Sequence, residues 1–292
     1  TGGAEMEATK VAVLGTGRMG GALARRLQAS GFAVTVWDRT REKAERLKVG
    51  PVAATPADAI RGANVVLSSL TDAAAVRSVY LGRDGIVEHA AGQLLVEMST
   101  GGPDVIEEIA QQARVRGVRL LEAPVLGSVP AVESGTLAVL VGGSQAELEQ
   151  ARPVLERLGE VHSVGALGSA ARLKLVANSM LGIISAAAAE LLAAGTAAGL
   201  EGGQVFWALA RYAPLLKARE AGFLRDQHQP TMFAVRDLVK DLDLALNLYG
   251  RAQASVPLTL KTRALFGEGL PGSSDLDISA IVRRPARRPT TA

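Results

Sequence analysis

The chain has no cysteine among its 292 residues, which excludes disulfides, thiolate metal sites and a cysteine nucleophile. Histidine is nearly as scarce. His89, His162 and His228 stand far apart without metal-ligand spacing, and each reads as a surface or packing residue. Aromatic residues make up 3% of the chain and form no basic, aromatic-rich patch, so no nucleic-acid partner is expected. The formal net charge of +3 does not supply one, because Arg283, Arg284, Arg287 and Arg288 all fall in a proline-interrupted tail. Without those four, the remainder carries −1. The apolar run after Lys174 is interrupted at Asn178 and Ser185, which predicts a stretch too short and too polar to span a membrane. No secretory signal is expected either, and the chain reads as a soluble, cytoplasmic protein.

Hydrophobic residues make up 48% of the sequence, enough for a sizeable core, and the length suits two domains. The expected division is residues 6–165 and 166–282, with the boundary at Ser163–Gly168. Residues 1–5 (TGGAE) read as a leader without fold information, and residues 283–292 as a disordered end.

Lys10–Leu14 (KVAVL) is a β-rich run followed at once by Gly15-Thr16-Gly17-Arg18-Met19-Gly20. Helical spacing then continues to about Ala29, and Ala33–Trp37 reads as a second strand ending at Asp38. A strand, a glycine turn, a helix and a strand within some thirty residues form the context in which this motif binds a dinucleotide. Gly15 permits the tight turn and Gly17 lets the backbone approach a pyrophosphate. Gly20 allows the helix to pack closely, while the helix N-terminus faces the phosphates. Asp38 is placed to accept from the ribose hydroxyls of NAD, yet Arg39, Thr40 and Arg41 follow directly and are suited to a 2′-phosphate. The cofactor is therefore NADH or NADPH, with the carboxylate favouring NADH.

Strand and helix signals go on alternating. Asn64–Leu70 and Leu94–Met98 read as buried strands, each followed by a helix, at Ala73–Tyr80 and Asp104–Gly117. Arg119–Glu122 and Leu137–Val141 are further strands around a glycine- and proline-containing loop. The pattern predicts a Rossmann-type α/β domain with a doubly wound, mostly parallel sheet. Its strand ends at Leu70-Thr71 and Ser99-Thr100 would line the cofactor crevice.

From Gly168 onward strand signals vanish, and a long helix over Ala170–Leu200 begins an all-α second domain. Further helices are expected at Gly203–Tyr212, Ala218–Asp226, Val235–Arg251 and Val256–Glu268. A long helix that is apolar all round must be buried, and the simplest cover is a second subunit; a homodimer is predicted. Lys174 stands at the head of that helix, before a stretch without charge from Leu175 to Ala189. Desolvation there would depress its pKa and make it a proton donor near neutral pH. Asn178 lies four residues on, stacked on the same helical face. The alternative is a lysine snorkelling at a helix start with its head in water.

Four separated segments resemble the β-hydroxyacid dehydrogenase family, which includes 3-hydroxyisobutyrate dehydrogenases and glyoxylate/succinic semialdehyde reductases. They are VLGTGRMGGALARRL at Val13–Leu27, EAPVLGSVPAVESGTLAVLVGG at Glu122–Gly143, GSAARLKLVAN at Gly168–Asn178, and Lys240-Asp241-Leu242-Asp243-Leu244. The resemblance implies an NAD(P)-dependent enzyme in which Lys174 is the general acid toward a carbonyl oxygen while hydride reaches its carbon. Asn178 would orient the substrate, and Leu126, Gly127 and Ser128 would hold its carboxylate. Lys240 would reach the site from the helical half, Ser99 and Thr100 would line the cofactor beside Leu70 and Thr71, and Asp241 would be structural.

One position departs from the family pattern. Leu126-Gly127-Ser128 stands where the family commonly has Ser-Gly-Gly, so a bulky apolar group replaces a hydroxyl. Either Ser128 takes over, or the substrate is larger or less polar than usual. The competing readings are an imine reductase and a non-catalytic dinucleotide-binding scaffold. Lys174 counts against both, and Ala177 counts against a 6-phosphogluconate dehydrogenase, which has a histidine beside the asparagine. His228 and Arg219 read as solvent-exposed, and Trp37 and Trp207 as packing residues.

Overall fold

The computed structural model describes residues 9–268 and 272–283. The leader-like residues 1–5 and the tail beyond Arg283 lie outside them. Arg283, expected to begin the disordered end, closes a short 3-10 helix (Ile278–Arg283) and donates to Asp226 through Nε at 2.7 Å. The chain divides into two compact units that meet in sequence at Lys174 and Leu175.

The described residues of the first unit contain β1 (Lys10–Leu14), β2 (Ala33–Trp37), β3 (Val65–Ser68), β4 (Leu94–Glu97), β5 (Arg119–Glu122), β6 (Val125–Leu126), β7 (Leu137–Gly142) and β8 (Gly159–Gly165). They form one sheet ordered β2-β1-β3-β4-β5-β7-β6, with β8 beside β7. Pairing from β2 to β5 is parallel, while β7 runs antiparallel to β5 and β6. The connecting helices are α1 (Arg18–Ala29), α2 (Arg41–Leu47), α3 (Pro56–Ile60), α4 (Ala73–Leu81), α5 (Ile86–His89), α6 (Pro103–Val115), α7 (Val129–Ser134) and α8 (Gln145–Leu155).

β3 and β4 are buried along their whole length, as strands covered on both faces must be. Alternate residues feed two cores. Val11, Val13, Leu67 and Val96 point to one side, and Ala12, Leu14, Val66 and Leu95 to the other. Because β1 is flanked by β2 and β3, the chain leaves it in opposite directions across the sheet. Ligands of such sheets bind at that reversal, beyond the carboxyl ends of the strands.

Seven elements of the first unit, α2, α3, α5, β6, α7, α8 and β8, have no counterpart among those expected from the sequence. β8 (GEVHSVG) is mostly exposed and carries no apolar run, so it gives no strand signal; backbone pairing with β7 holds it in place. The expected boundary segment therefore starts inside a strand. Ser144 caps α8, its hydroxyl accepting from Glu147 N–H.

α9 (Ser169–Ala197) is one unbroken helix that starts in the first unit and continues into the second. By length and composition it could cross a membrane, contrary to expectation: its most apolar window has a mean hydropathy of 1.7 and is 50% buried within the protein. The polar residues expected to disqualify it are absorbed. Ser185 donates to Leu181 O one turn back, and Asn178 is satisfied by a side chain of its own unit.

The second unit continues with α10 (Gly202–Tyr212), a 3-10 turn (Pro214–Arg219), α11 (Glu220–Arg225), α12 (Val235–Arg251) and α13 (Pro257–Glu268). Its core joins Leu192, Phe206, Phe223, Leu238, Leu242 and Phe266. The Phe206 and Phe223 rings lie 5.7 Å apart between centroids.

Candidate active site

β1 ends at Leu14 and the chain turns through Gly15 at φ +88°, where a Cβ would collide with the Ser69 carbonyl. Gly20 packs against the same turn, and a Cβ there would strike the Gly15 carbonyl. Gly17 is different. Its φ is −63° and a Cβ would meet nothing within 4 Å, so the protein's own packing does not require glycine there. The open space beside it leaves room for a ligand to approach the backbone closely. α1 starts beside it at Arg18 without a side-chain cap, leaving helix N–H groups directed at the same space. Arg18 is exposed and Met19 half-buried there. This cradle fits a dinucleotide pyrophosphate.

Asp38 follows β2, and its carboxylate turns onto the glycine loop. Oδ2 accepts from Thr16 N at 2.7 Å and Thr16 Oγ1 at 2.9 Å, and Oδ1 accepts from Thr40 N at 2.8 Å. Arg39 is exposed beside it. Leu70 and Thr71 follow β3, and Ser99 and Thr100 follow β4, at the same carboxyl edge of the sheet. Leu70 N donates to Ser99 Oγ at 2.8 Å, tying the two strand ends together.

Behind this edge lies a buried polar group that the sequence reading missed. Glu97, the last residue of β4, accepts from Ser99 N with both oxygens at 3.0 Å, and Ser68 bridges it to Tyr80 at 2.7 Å from the phenol. Burial pushes the Glu97 carboxyl up to about 7, against the opposing hydrogen bonds from Ser99 and Ser68. Burial, reinforced by the Glu97 charge, pushes the Tyr80 phenol up as well. A glutamate within an otherwise apolar strand, LLVE, was the available signal.

Lys174 is half-buried in the first turns of α9, and its Nζ donates to Val125 O at 2.8 Å. The ammonium is thus neither buried without a partner nor loose in water. It is held against the strand that leads into Leu126-Gly127-Ser128. Leu126 pairs with Ala138 in β6 and is half-buried, Gly127 is exposed, and Ser128 precedes α7 with a hydroxyl that caps none of its N–H groups.

In the second unit, Asn178 and Lys240 meet on one carboxylate. Asn178 Nδ2 donates to Asp241 Oδ2 at 2.6 Å, and Lys240 Nζ donates to Asp241 Oδ1 at 2.7 Å. A carboxylate only accepts, so the amide must turn its nitrogen to Asp241 and its carbonyl away. Asp241, expected to be structural, is buried and accepts from both side chains.

Three expectations fail in this unit. His228 is buried, with its nitrogens on Ser279 Oγ and Asp226 Oδ1, and Arg219 is half-buried in an ion pair with the buried Asp277 at 3.0 Å. Both tie the C-terminal segment to the helical core. Trp207 is 63% exposed, with the Arg211 guanidinium 5.6 Å above its ring, so it is not a packing residue. Among the described residues no cluster of acidic and histidine side chains could hold a metal ion.

Residues 10–168 match the model of the NAD binding domain of 6-phosphogluconate dehydrogenase, and residues 168–284 that of the NAD-binding region of NADP-dependent 3-hydroxyisobutyrate dehydrogenase. The chain is 35% identical to the 3-hydroxyisobutyrate dehydrogenase of Pseudomonas aeruginosa, over 94% of this chain and 97% of that protein. It is 34% identical to the NAD-dependent L-serine dehydrogenase of the same organism, over 85% and 88%. The solved 3-hydroxyisobutyrate dehydrogenase of Mycobacterium tuberculosis superposes with a TM-score of 0.84 at 26% identity, covering 94% of this chain and 98% of that one. An imine reductase from Myxococcus stipitatus shares the fold alone, at 23% identity and a TM-score of 0.61. The chain belongs to the β-hydroxyacid dehydrogenase family, NAD(P)-dependent oxidoreductases that move a hydride between nicotinamide and the carbonyl or hydroxyl carbon of their substrates.

Proposed function

We propose that this enzyme interconverts a 3-hydroxy acid and its semialdehyde, with Lys174 as general acid in reduction and general base in oxidation. The observation that carries the reading is the Lys174 Nζ contact to Val125 O, which aims the ammonium beside the Leu126–Ser128 segment. The nicotinamide, when bound, supplies or takes the hydride. Lys174 gives the proton to the carbonyl oxygen, a step that general acid–base catalysis accelerates by roughly 10²–10⁴. Asn178, its amide locked by Asp241, orients the substrate. The Ser128 hydroxyl and Gly127 N–H receive the substrate carboxylate, and the Leu126 side chain gives the rest of the substrate an apolar wall. A substrate larger or less polar than a simple short semialdehyde suits that wall.

NADH is the preferred cofactor in this reading. Three donors hold the Asp38 carboxylate at the glycine loop, and its charge opposes a 2′-phosphate there. The similarity to an NAD-dependent L-serine dehydrogenase supports the same choice. Nicotinamide absorbance, followed with NADH and NADPH against aldehyde acids, ketones and cyclic imines, tests the proposal. Turnover of aldehyde acids with NADH is expected. Turnover of imines alone would overturn the reaction, and efficient turnover of succinic semialdehyde would remove the role given to Leu126.

A further inference from the structure

We infer that Glu122 is a positioning residue for Lys174, a clamp that sets the rotation of the first turn of α9. This rests on the role proposed for Lys174 above. Glu122 ends β5 with its side chain fully buried, and its two oxygens accept from two successive backbone N–H groups of α9: Ala170 N to Oε1 at 2.8 Å and Ala171 N to Oε2 at 3.0 Å. A planar carboxylate held by two consecutive helical donors fixes both the height and the rotation of that turn.

Lys174 follows Ala170 and Ala171 by four and three residues, one turn further along. Its Nζ donates to Val125 O, three residues beyond Glu122. The strand segment Glu122–Val125 therefore grips the head of α9 at two points, one turn apart, and runs on directly into Leu126-Gly127-Ser128. The space for the carboxylate is built as well. In β7, Gly142 is the register partner of Glu122, and a Cβ there would collide with Glu122 Oε1.

The clamp also bears on the charge of Lys174. A helix N-terminus carries a partial positive charge that disfavours a nearby ammonium, and the Glu122 carboxylate offsets it. Burial raises the Glu122 carboxyl, and the backbone N–H groups at the head of α9 work the other way. The other charges around it are Glu97 on β4, in register with Glu122, and Arg172 on α9, which is paired with Glu107 of α6.

Glu122→Gln keeps the size, removes the charge and turns an N–H₂ toward a backbone donor. The expected loss in kcat is roughly tenfold to a hundredfold, as for small misplacements of a reacting group, with the NADH Kd within about twofold. The alkaline limb of the reduction profile should move to lower pH. Competitive acylation of Lys174 with acetic anhydride, read by peptide mass spectrometry across pH, reports the same amine without turnover. Its labelling curve should move down by about half a unit or more. Should wild type turn over no substrate, the reading of Lys174 as catalyst falls, while the labelling still decides the clamp. An unmoved limb and labelling curve, with only a general loss of rate, would overturn it. Should Glu122→Gln not fold, Gly142→Ala decides: it keeps the carboxylate but pushes it off the helix, and unchanged Lys174 labelling there would equally refute the clamp.

Discussion

Lys174 and Glu97 show how differently two ionisable groups in apolar surroundings are settled. Lys174 has a backbone carbonyl to point at and keeps a direction; its replacement by methionine is expected to lower turnover by roughly 10²–10⁴ while NADH still binds, measured by single-turnover kinetics and nucleotide fluorescence. Glu97 is sealed inside, and its carboxyl titrates at about 7 in the fold against 4.5 outside it. The folded state thus holds a proton that the unfolded chain releases between those values. Its contribution to stability is complete below about pH 4.5, falls as pH rises through about 7, and amounts to about 3 kcal/mol at most. Glu97→Gln, which mimics the protonated form, should flatten that part of the denaturation curve measured between pH 5 and about 8. An equally steep fall in the variant would assign the pH dependence elsewhere. Asp241 belongs with these two: Asp241→Ala leaves the Asn178 amide without its buried acceptor, and urea unfolding should show a loss of about 1–3 kcal/mol. None of these partnerships has a sequence signature. Asp241 sits 63 residues from Asn178, and Glu122 sits 48 from Ala170.

Among elements, those with a clear period were legible. β1, β2, β5 and α12 occupy the predicted spans: β1 and β5 are short apolar runs buried on both faces, while β2 and α12 bury one face and repeat accordingly. β6, α7 and β8 were illegible. A two-residue strand has no period, α7 is a single proline-started turn, and β8 is an exposed strand whose pairing rests on the backbone. The turn before α1 yields a separable test. Because a Cβ at Gly17 meets open space, Gly17→Val should leave the melting temperature nearly unchanged while weakening NADH binding roughly tenfold or more, about 1.4 kcal/mol. A large fall in stability would mean that packing, not the ligand, demands glycine there.

For the molecule as a whole, α9 is the outstanding surface. Leu173, Val176, Met180 and Leu191 are 38–56% exposed on one helix, and Leu200 and Trp207 add further apolar area. Soluble chains seldom leave such stretches uncovered. We propose that a second copy covers them. Sedimentation at micromolar concentration should give a dimer, and Met180→Glu should shift it toward monomer; a wild-type monomer under those conditions would remove the proposal.

By itself the sequence determined the periodic strands and helices and the glycine turn, because each is written in neighbouring residues through period or spacing, and the family resemblance singled out Lys174. Only the tertiary structure decided which groups hold them. Asp38 lies on Thr16, Glu122 on the head of α9, Asp241 between Asn178 and Lys240, and Glu97 beneath the strand ends. A carboxylate finds its partners by where folding brings donors and removes water, and that is a property of distant segments, not of the residues beside it in the chain.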